Sequence, residues 1–175
     1  GSGGISKDNQ EAVKWFKLAV AQGNPIAQFE LGSMFLWGDG IKKNYKEAKK
    51  LFELAAEQEE VEAQHYLAVL YYEGEDGKRS KEDFAQSIKW HKRAAGHGHA
   101  RSQFILGIYY SRGLPGVPRD PKTAYMWLRI ASESGDETAK VELEKIIKEK
   151  FITGERLEGA KTLYNECMKK NLKGC

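Results

Sequence analysis

Apolar and small side chains recur along the chain at helical spacing. Ala12, Trp15 and Ala19 fall at i, i+3 and i+7, which places them on one stripe of a helix. A second stripe contains Leu31 and Phe35, and the glycine beside Leu31 lets a neighbouring helix approach closely. Segments rich in glycine and proline interrupt the stripes and stop each helix. The pattern predicts an all-α chain of short helices joined by turns.

These stripes repeat with a nearly constant period. Steps of 36, 39 and 37 residues connect Trp15, Leu51, Trp90 and Trp127. Four further columns keep the same steps, among them Ala19, Ala55, Ala94 and Ala131. Each period holds two helices, named helix A and helix B in chain order, and the column of Trp15 lies on helix B. A fixed period of this length predicts a stacked array of helix pairs.

The connections within and between repeats differ. The loop from helix A to helix B begins at Gly38, Gly74 or Gly113, and all the variation in repeat length lies there. Insertions confined to equivalent loops project from one side of a stacked array, so that side tolerates variation. The turn from helix B to the next helix A carries a glycine in the other repeats, whereas Gln58 and Glu59 replace it in the second. We therefore predict that this helix B ends differently from the others.

The register of the repeats predicts one solenoid domain over residues 1–175. Its last unit is a degenerate cap, because Glu144 replaces the helix A glycine and charged residues run from Glu142 to Lys150. The predicted divisions are a cloning remnant at 1–4, a partial repeat with helix B alone at 5–24, complete repeats at 25–59, 60–98 and 99–135, and the capping repeat at 136–175.

Two segments carry a family resemblance. The pattern Ala-Gln-x-x-Leu-Gly followed by Gly-x-Gly-Ile spans Ala27 to Ile41, and Glu47 to Ala56 continues it with Glu-Ala-x-x-Leu-x-x-x-Ala-Ala. Together they resemble the Sel1-like repeat family. The two-glycine loop and the longer period distinguish the pattern from the related tetratricopeptide repeat. The resemblance implies an α/α right-handed superhelix whose A helices line a concave wall.

The resemblance also implies a function. Members of this family are mostly bacterial and often exported or periplasmic, and they serve as non-catalytic scaffolds or adaptors that bind a partner protein on the concave helix A surface. One alternative is an immunity protein that neutralises a secreted effector such as a type VI lipase. A second alternative is a binder of peptidoglycan fragments or another small ligand. The fold alone does not choose among them.

Composition and charge exclude several classes of protein. With 41% hydrophobic residues the chain can bury a core, so it is not a disordered protein. The net charge of +3 comes from interleaved cations and anions, which lack the concentrated field that nucleic acid requires. Apolar runs are far shorter than the roughly 20 residues that span a bilayer. We expect neither nucleic acid nor membrane insertion, and we expect a monomer.

No constellation in the sequence predicts chemistry. His91, His97 and His99 match no zinc spacing and are interpreted as solvated turn histidines. The segment 74–77 lacks the ligand pattern of a calcium loop, so it is predicted to be a turn. The Gly-x-Gly pairs follow no strand, and the carboxylates are scattered beside lysines. We predict no metal, no cofactor and no enzymatic activity.

Most aromatic side chains belong to repeat columns and are predicted to be buried. These are Trp15, Trp90 and Trp127 on helix B, with Phe35, Tyr71 and Tyr110 on helix A.

Other positions on helix A differ from repeat to repeat, as expected for a surface that binds a partner. They form one stripe on each helix at i, i+3 and i+7, and tryptophan, tyrosine and arginine among them are frequent at interface hot spots. The alternative is packing between repeats, above all for the two isoleucines. The candidate partner-binding residues are Glu30, Ser33, Trp37, Tyr66, Val69, Glu73, Ile105, Ile108 and Arg112.

Both cysteines lie near the end of the chain. Cys167 occupies a small-residue position of a helix B stripe and could be a buried thiol, but Asn171 and Gly174 allow the chain to reverse towards it. We predict a disulfide between Cys167 and Cys175, which indicates an oxidising compartment. A periplasmic or secreted location is therefore favoured over the cytoplasm.

Overall fold

A computed structural model describes residues 7–74 and 80–175, with the side chain of Lys7 excepted. The helices of these ranges confirm the all-α fold. Residues 1–4 and most of the predicted turn at 74–77 lie outside the described ranges. In chain order the helices are α1 (Lys7–Ala21), α2 (Pro25–Trp37), α3 (Tyr45–Glu57), α4 (Val61–Glu73), α5 (Lys81–Gly96), α6 (Ala100–Arg112), α7 (Pro121–Glu133), α8 (Glu137–Lys148) and α9 (Gly154–Lys169).

The chain forms two compact units, of which the first ends at Leu70 and the second begins at Tyr71. In the first unit, α1, α2 and α3 contribute Val13, Leu31 and Leu51 to one apolar cluster. Helix A glycines bring the helices close together. A Cβ atom at Gly32 would lie 2.8 Å from the Phe52 ring. The backbone of α2 at Gly32 therefore packs directly against the Phe52 side chain of α3.

In the second unit, α7 is the central helix. Its Trp127 packs with Leu106 of α6 and with Tyr164 and Cys167 of α9. On another face of α7, Leu128 belongs to a second cluster that includes residues of α8 and α9. All of α7 from position 124 to 128 is therefore buried.

The tryptophan column is only partly buried. Trp90 and Trp127 are 4% and 1% exposed, as predicted, but the prediction for Trp15 is wrong because it is 65% exposed. Helix α1 contacts its unit through Val13 and Phe16. Around the helix axis, Trp15 lies roughly 130° from the direction midway between these two side chains. No helix in the described part of the first unit covers that face.

The helix A aromatic column also departs from the prediction. Phe35, Tyr71 and Tyr110 are half-buried. Phe35 and Tyr110 pack at the margins of their units' clusters, so one edge of each ring stays accessible to solvent.

The turn from helix B to the next helix A has the same backbone in all four repeats. Gly98 has φ +85° and Glu59 has φ +66°, so a glutamate adopts the left-handed conformation of the glycine. Backbone N–H groups of Glu59 and Glu60 donate to the carbonyls of Ala56 and Ala55 at 3.2 and 3.1 Å, which is the bond pattern of the glycine turns. The prediction that the second helix B ends differently is wrong, because backbone hydrogen bonding imposes the turn.

The residue after the left-handed position caps the following helix A. Asn24, Glu60, His99 and Asp136 each accept a backbone N–H from the first turn of the next helix through their side chains. Each side chain satisfies a donor that the helix itself leaves without a partner.

Glu59→Gly should stabilise the protein by about 0.5–1 kcal/mol. A non-glycine residue at positive φ is strained, and this strain exceeds the entropy that glycine adds to the unfolded chain. The weak bond at 3.3 Å between Gln64 Nε2 and the Glu59 carboxylate limits the gain. Urea denaturation measures the change. Gly98→Ala is the matched control and should lose about 1 kcal/mol, and a loss of stability in Glu59→Gly would contradict the strain argument.

Candidate functional site

Strongly exposed apolar side chains lie near both ends of α2, which is a helix A. Ile26, Glu30, Ser33 and Trp37 stand at i, i+4, i+7 and i+11 and form one stripe, named the α2 stripe. Trp37 and Ile26 are 62% and 64% exposed, and Glu30 and Ser33 between them are half-buried. The predicted stripe comprises Glu30, Ser33 and Trp37 and does not include Ile26. Extending the stripe by one turn from Glu30 towards the helix N-terminus would have found it.

Caps at both ends hold α2 in place. Asn24 Oδ1 accepts the Ala27 N–H at 2.9 Å, and Pro25 occupies the first turn, where its missing N–H costs nothing. At the other end, Gly38 has φ +83° and its N–H donates to the Met34 carbonyl at 2.8 Å. The α2 stripe therefore lies on a helix that is fixed before any partner binds.

Tyr66 and Val69 lie on α4 in the same unit. The rings of Phe29, Phe52 and Tyr66 form a triangle with centroids 5.7–5.8 Å apart, so Tyr66 joins α4 to α2 and α3. Tyr66 is half-buried, and Val69, three residues further on, is half-buried as well. Tyr66 thus combines a packing role with a partly accessible ring beside α2.

The other candidate residues belong to the second unit. Ile105, Ile108 and Arg112 lie on α6, where Arg112 is exposed and both isoleucines are half-buried. Ile108 packs against the cluster that contains Leu128, which agrees with the packing interpretation for this residue. Glu73 is exposed at the end of α4.

The histidines have structural roles. His91 was interpreted as solvated, which is wrong: it is fully buried, with Nδ1 3.1 Å from Ser102 Oγ. It follows Trp90 on the face of α5 that packs on α6, where its ring lies edge-on to Tyr109. His99 caps α6, and His97 is exposed as predicted. Among the described residues, no group of three or more histidine, cysteine or acidic side chains could hold a metal ion.

The chain end folds back onto the second unit. Asn171 and Leu172 adopt positive φ values of 54° and 65°, which reverse the chain after α9. The sulfur atoms of Cys167 and Cys175 are bonded at 2.05 Å, and Lys92 Nζ donates to the Cys175 carbonyl at 3.2 Å. Cys167 lies in the core of the unit, so this arrangement attaches the tail to the core.

A polar contact attaches α9 to α7. The Tyr164 hydroxyl donates to the Glu133 carboxylate, and the Arg129 guanidinium lies 4.0 Å from the centre of the Tyr164 ring. The hydrogen bond to Glu133, aided by burial, raises the pKa of Tyr164 above its ordinary value. This cluster joins α9 to α7 through a hydrogen bond and a cation–π contact.

None of the described helices combines the length and the apolar character needed to cross a bilayer.

The helix pairs define an α/α repeat protein, and comparison with known proteins identifies its family. The Sel1 repeat model matches residues 1–24, 25–60, 61–99 and 100–136. The chain therefore belongs to the Sel1 repeat family. Proteins of this family are generally non-catalytic scaffolds for protein interactions. No curated protein matches the sequence.

Two solved structures share the fold. A Sel1 repeat protein from Oxalobacter formigenes is 34% identical with a TM-score of 0.73, over 80% of this chain and 56% of that protein. A protective antigen of uropathogenic Escherichia coli, which displays an SLR fold, is 26% identical with a TM-score of 0.73, over 93% of this chain and 34% of the antigen. The chain thus spans about half and about one third of these two proteins.

Proposed function

We propose that this chain is a scaffold that binds a partner protein through the α2 stripe. The observation that carries the proposal is the exposure of Trp37 and Ile26, 62% and 64%, on a helix whose other faces are packed and whose ends are capped. Large apolar side chains grouped on one open face are typical of partner sites. Tryptophan is among the residues that contribute most to binding when an interface excludes water.

In this proposal Trp37 is the main anchor. Tyr66 and Val69, on α4 of the same unit, extend the surface, while Glu30 and Ser33 supply polar contacts that fix the position of the partner. Because α2 is already ordered, binding requires little rearrangement and loses little conformational entropy. The α6 residues Ile105, Ile108 and Arg112, together with Glu73, are proposed as a separate surface of the second unit.

Cross-linking beside Trp37 tests the scaffold proposal. A photoreactive amino acid replaces Ser33, one turn from Trp37 on the same stripe, in the full chain within the producing cells, and the captured protein is purified for affinity measurements. We expect Trp37→Ala to weaken its binding by about 30-fold, since a hot-spot residue contributes about 2 kcal/mol or more. The matched control is Trp15→Ala, which removes a tryptophan of similar exposure, 65%, from another helix. This control should change affinity less than about twofold, as expected for a residue outside the interface.

Each result of this experiment decides between candidate functions. Equal losses in Trp37→Ala and Trp15→Ala, or no loss in either, would remove the α2 stripe as the site. A separate Arg112→Ala variant tests the second unit in the same assay. If the captured partner is a secreted enzyme and the wild-type chain blocks its activity, the protein is an inhibitor of that enzyme.

We also propose that the protein acts in an oxidising compartment such as the periplasm, on the basis of the Cys167–Cys175 pair. Protein purified from the producing cells under acid quench should take up no thiol-alkylating reagent until it is reduced and unfolded, and then two equivalents. Mass spectrometry measures the uptake. Alkylation without reduction would place the protein in a reducing compartment.

A further inference from the structure

The A helices of the first unit carry negative charge only. In α2 the single charged residue is Glu30, and in α4 up to Leu70 the single charged residue is Glu62. The lysines of this unit's helices lie on the B helices: α1 contains Lys14 and Lys17 along with Lys7, and α3 contains three more. The same B helices also carry five acidic residues and are mixed in charge, whereas the A helices of this unit contain no lysine or arginine.

Glu30 lies in the middle of the α2 stripe. It is one turn from Ile26 and two turns from Trp37, and the whole stripe is about 16 Å long at the rise of an α-helix. Lys43, in the loop after α2, has its ammonium 5.5 Å from the centre of the Tyr45 ring, so it is directed towards α3. Glu30 is therefore the charged residue of a stripe whose other members, Ile26, Ser33 and Trp37, are uncharged.

The chemistry of this stripe restricts what can cover it. An apolar partner surface would remove water from the Glu30 carboxylate, and a carboxylate that loses water without gaining a cation is strongly destabilised. An arginine or lysine of the partner would restore the lost interaction.

We propose that the occupant of the α2 stripe is a cationic segment of the partner protein, in which an arginine or lysine sits between apolar residues. The basic residue pairs with Glu30, and the apolar residues contact Ile26 and Trp37. The A helices of the first unit contain no lysine or arginine that would repel this segment from Glu30. This inference rests on the proposed function, since it names the partner chemistry of the same stripe.

A displayed library of random 12-residue peptides, selected on the immobilised full chain, tests the inference. We expect the enriched peptides to carry net positive charge and at least two large apolar residues. Their affinity should fall at least fivefold on Glu30→Gln and further on Glu30→Lys, and it should weaken as salt increases. Circular dichroism establishes that each variant is folded.

The matched control is Glu11, which lies on α1 four residues before the exposed Trp15 and is itself exposed. Glu11→Lys makes the same charge change beside a comparable tryptophan and should leave peptide affinity unchanged. Enriched peptides that are neutral or acidic, or that bind Glu30→Lys as well as wild type, overturn the inference. If Trp37→Ala still abolishes their binding, the scaffold proposal survives. If no peptide depends on Trp37, both proposals fail.

Discussion

Trp127→Ala should lower the free energy of unfolding by about 4 kcal/mol, whereas Trp15→Ala should change it by less than about 0.5 kcal/mol. The two residues occupy the same repeat column. Trp127 is 1% exposed between α6, α7 and α9, and its loss leaves a cavity bounded by side chains that cannot close it. Trp15 is 65% exposed, so its removal leaves no cavity.

Urea denaturation followed by far-ultraviolet circular dichroism measures both changes without depending on tryptophan fluorescence. Trp127→Phe is the conservative control and should recover part of the loss, because a smaller aromatic ring still fills most of the site. Similar losses in the two alanine variants would show that repeat position determines the energetic role. A large loss confined to Trp127 would show that burial determines it.

Gly40→Ala should cost about 3 kcal/mol or more. Gly40 has φ +69°, and a Cβ atom there would lie 2.4 Å from the carbonyl carbon and oxygen of Asn9. The positive φ alone costs about 1–2 kcal/mol for alanine. The clash adds about 1–3 kcal/mol, because either α1 or the loop must move. The second glycine of this loop therefore permits a close contact with α1.

Gly116→Ala separates the two contributions. Gly116 has φ +86°, but a Cβ atom there meets nothing within 4 Å. Its replacement should cost only the conformational part, about 1–2 kcal/mol. The difference between the two variants in urea denaturation measures the contact with Asn9. Equal losses at Gly40 and Gly116 would contradict the clash argument.

The repeat register predicted the helices and their order, because apolar spacing and loop glycines are local properties. Burial at equivalent positions was less predictable. Trp15 and Trp127 share a column, but only Trp127 lies where α6 and α9 both reach it. His91 was assigned to solvent because the sequence does not show that this face of α5 packs on α6. The burial of a side chain depends on which neighbouring helices cover it.

In the candidate site, too, the positions of the residues could be predicted from the sequence, whereas their burial could not. Glu30 and Trp37 were found because they differ between repeats, and the structure places Trp37 in solvent. Ile26 lies one turn before the predicted stripe, whose spacing of i, i+3 and i+7 begins at Glu30. Ile108 was left open between surface and packing, and it packs against a core cluster because α7 presents Leu128 at its side.

The four turns between repeats combine one backbone with four different capping side chains, at Asn24, Glu60, His99 and Asp136. An amide, two carboxylates and an imidazole perform the same task there. These positions are therefore free to diverge in sequence without altering the backbone conformation of the turn. A profile that required one residue type at this site would overlook genuine repeats, whereas one that required any hydrogen-bond acceptor would retain them.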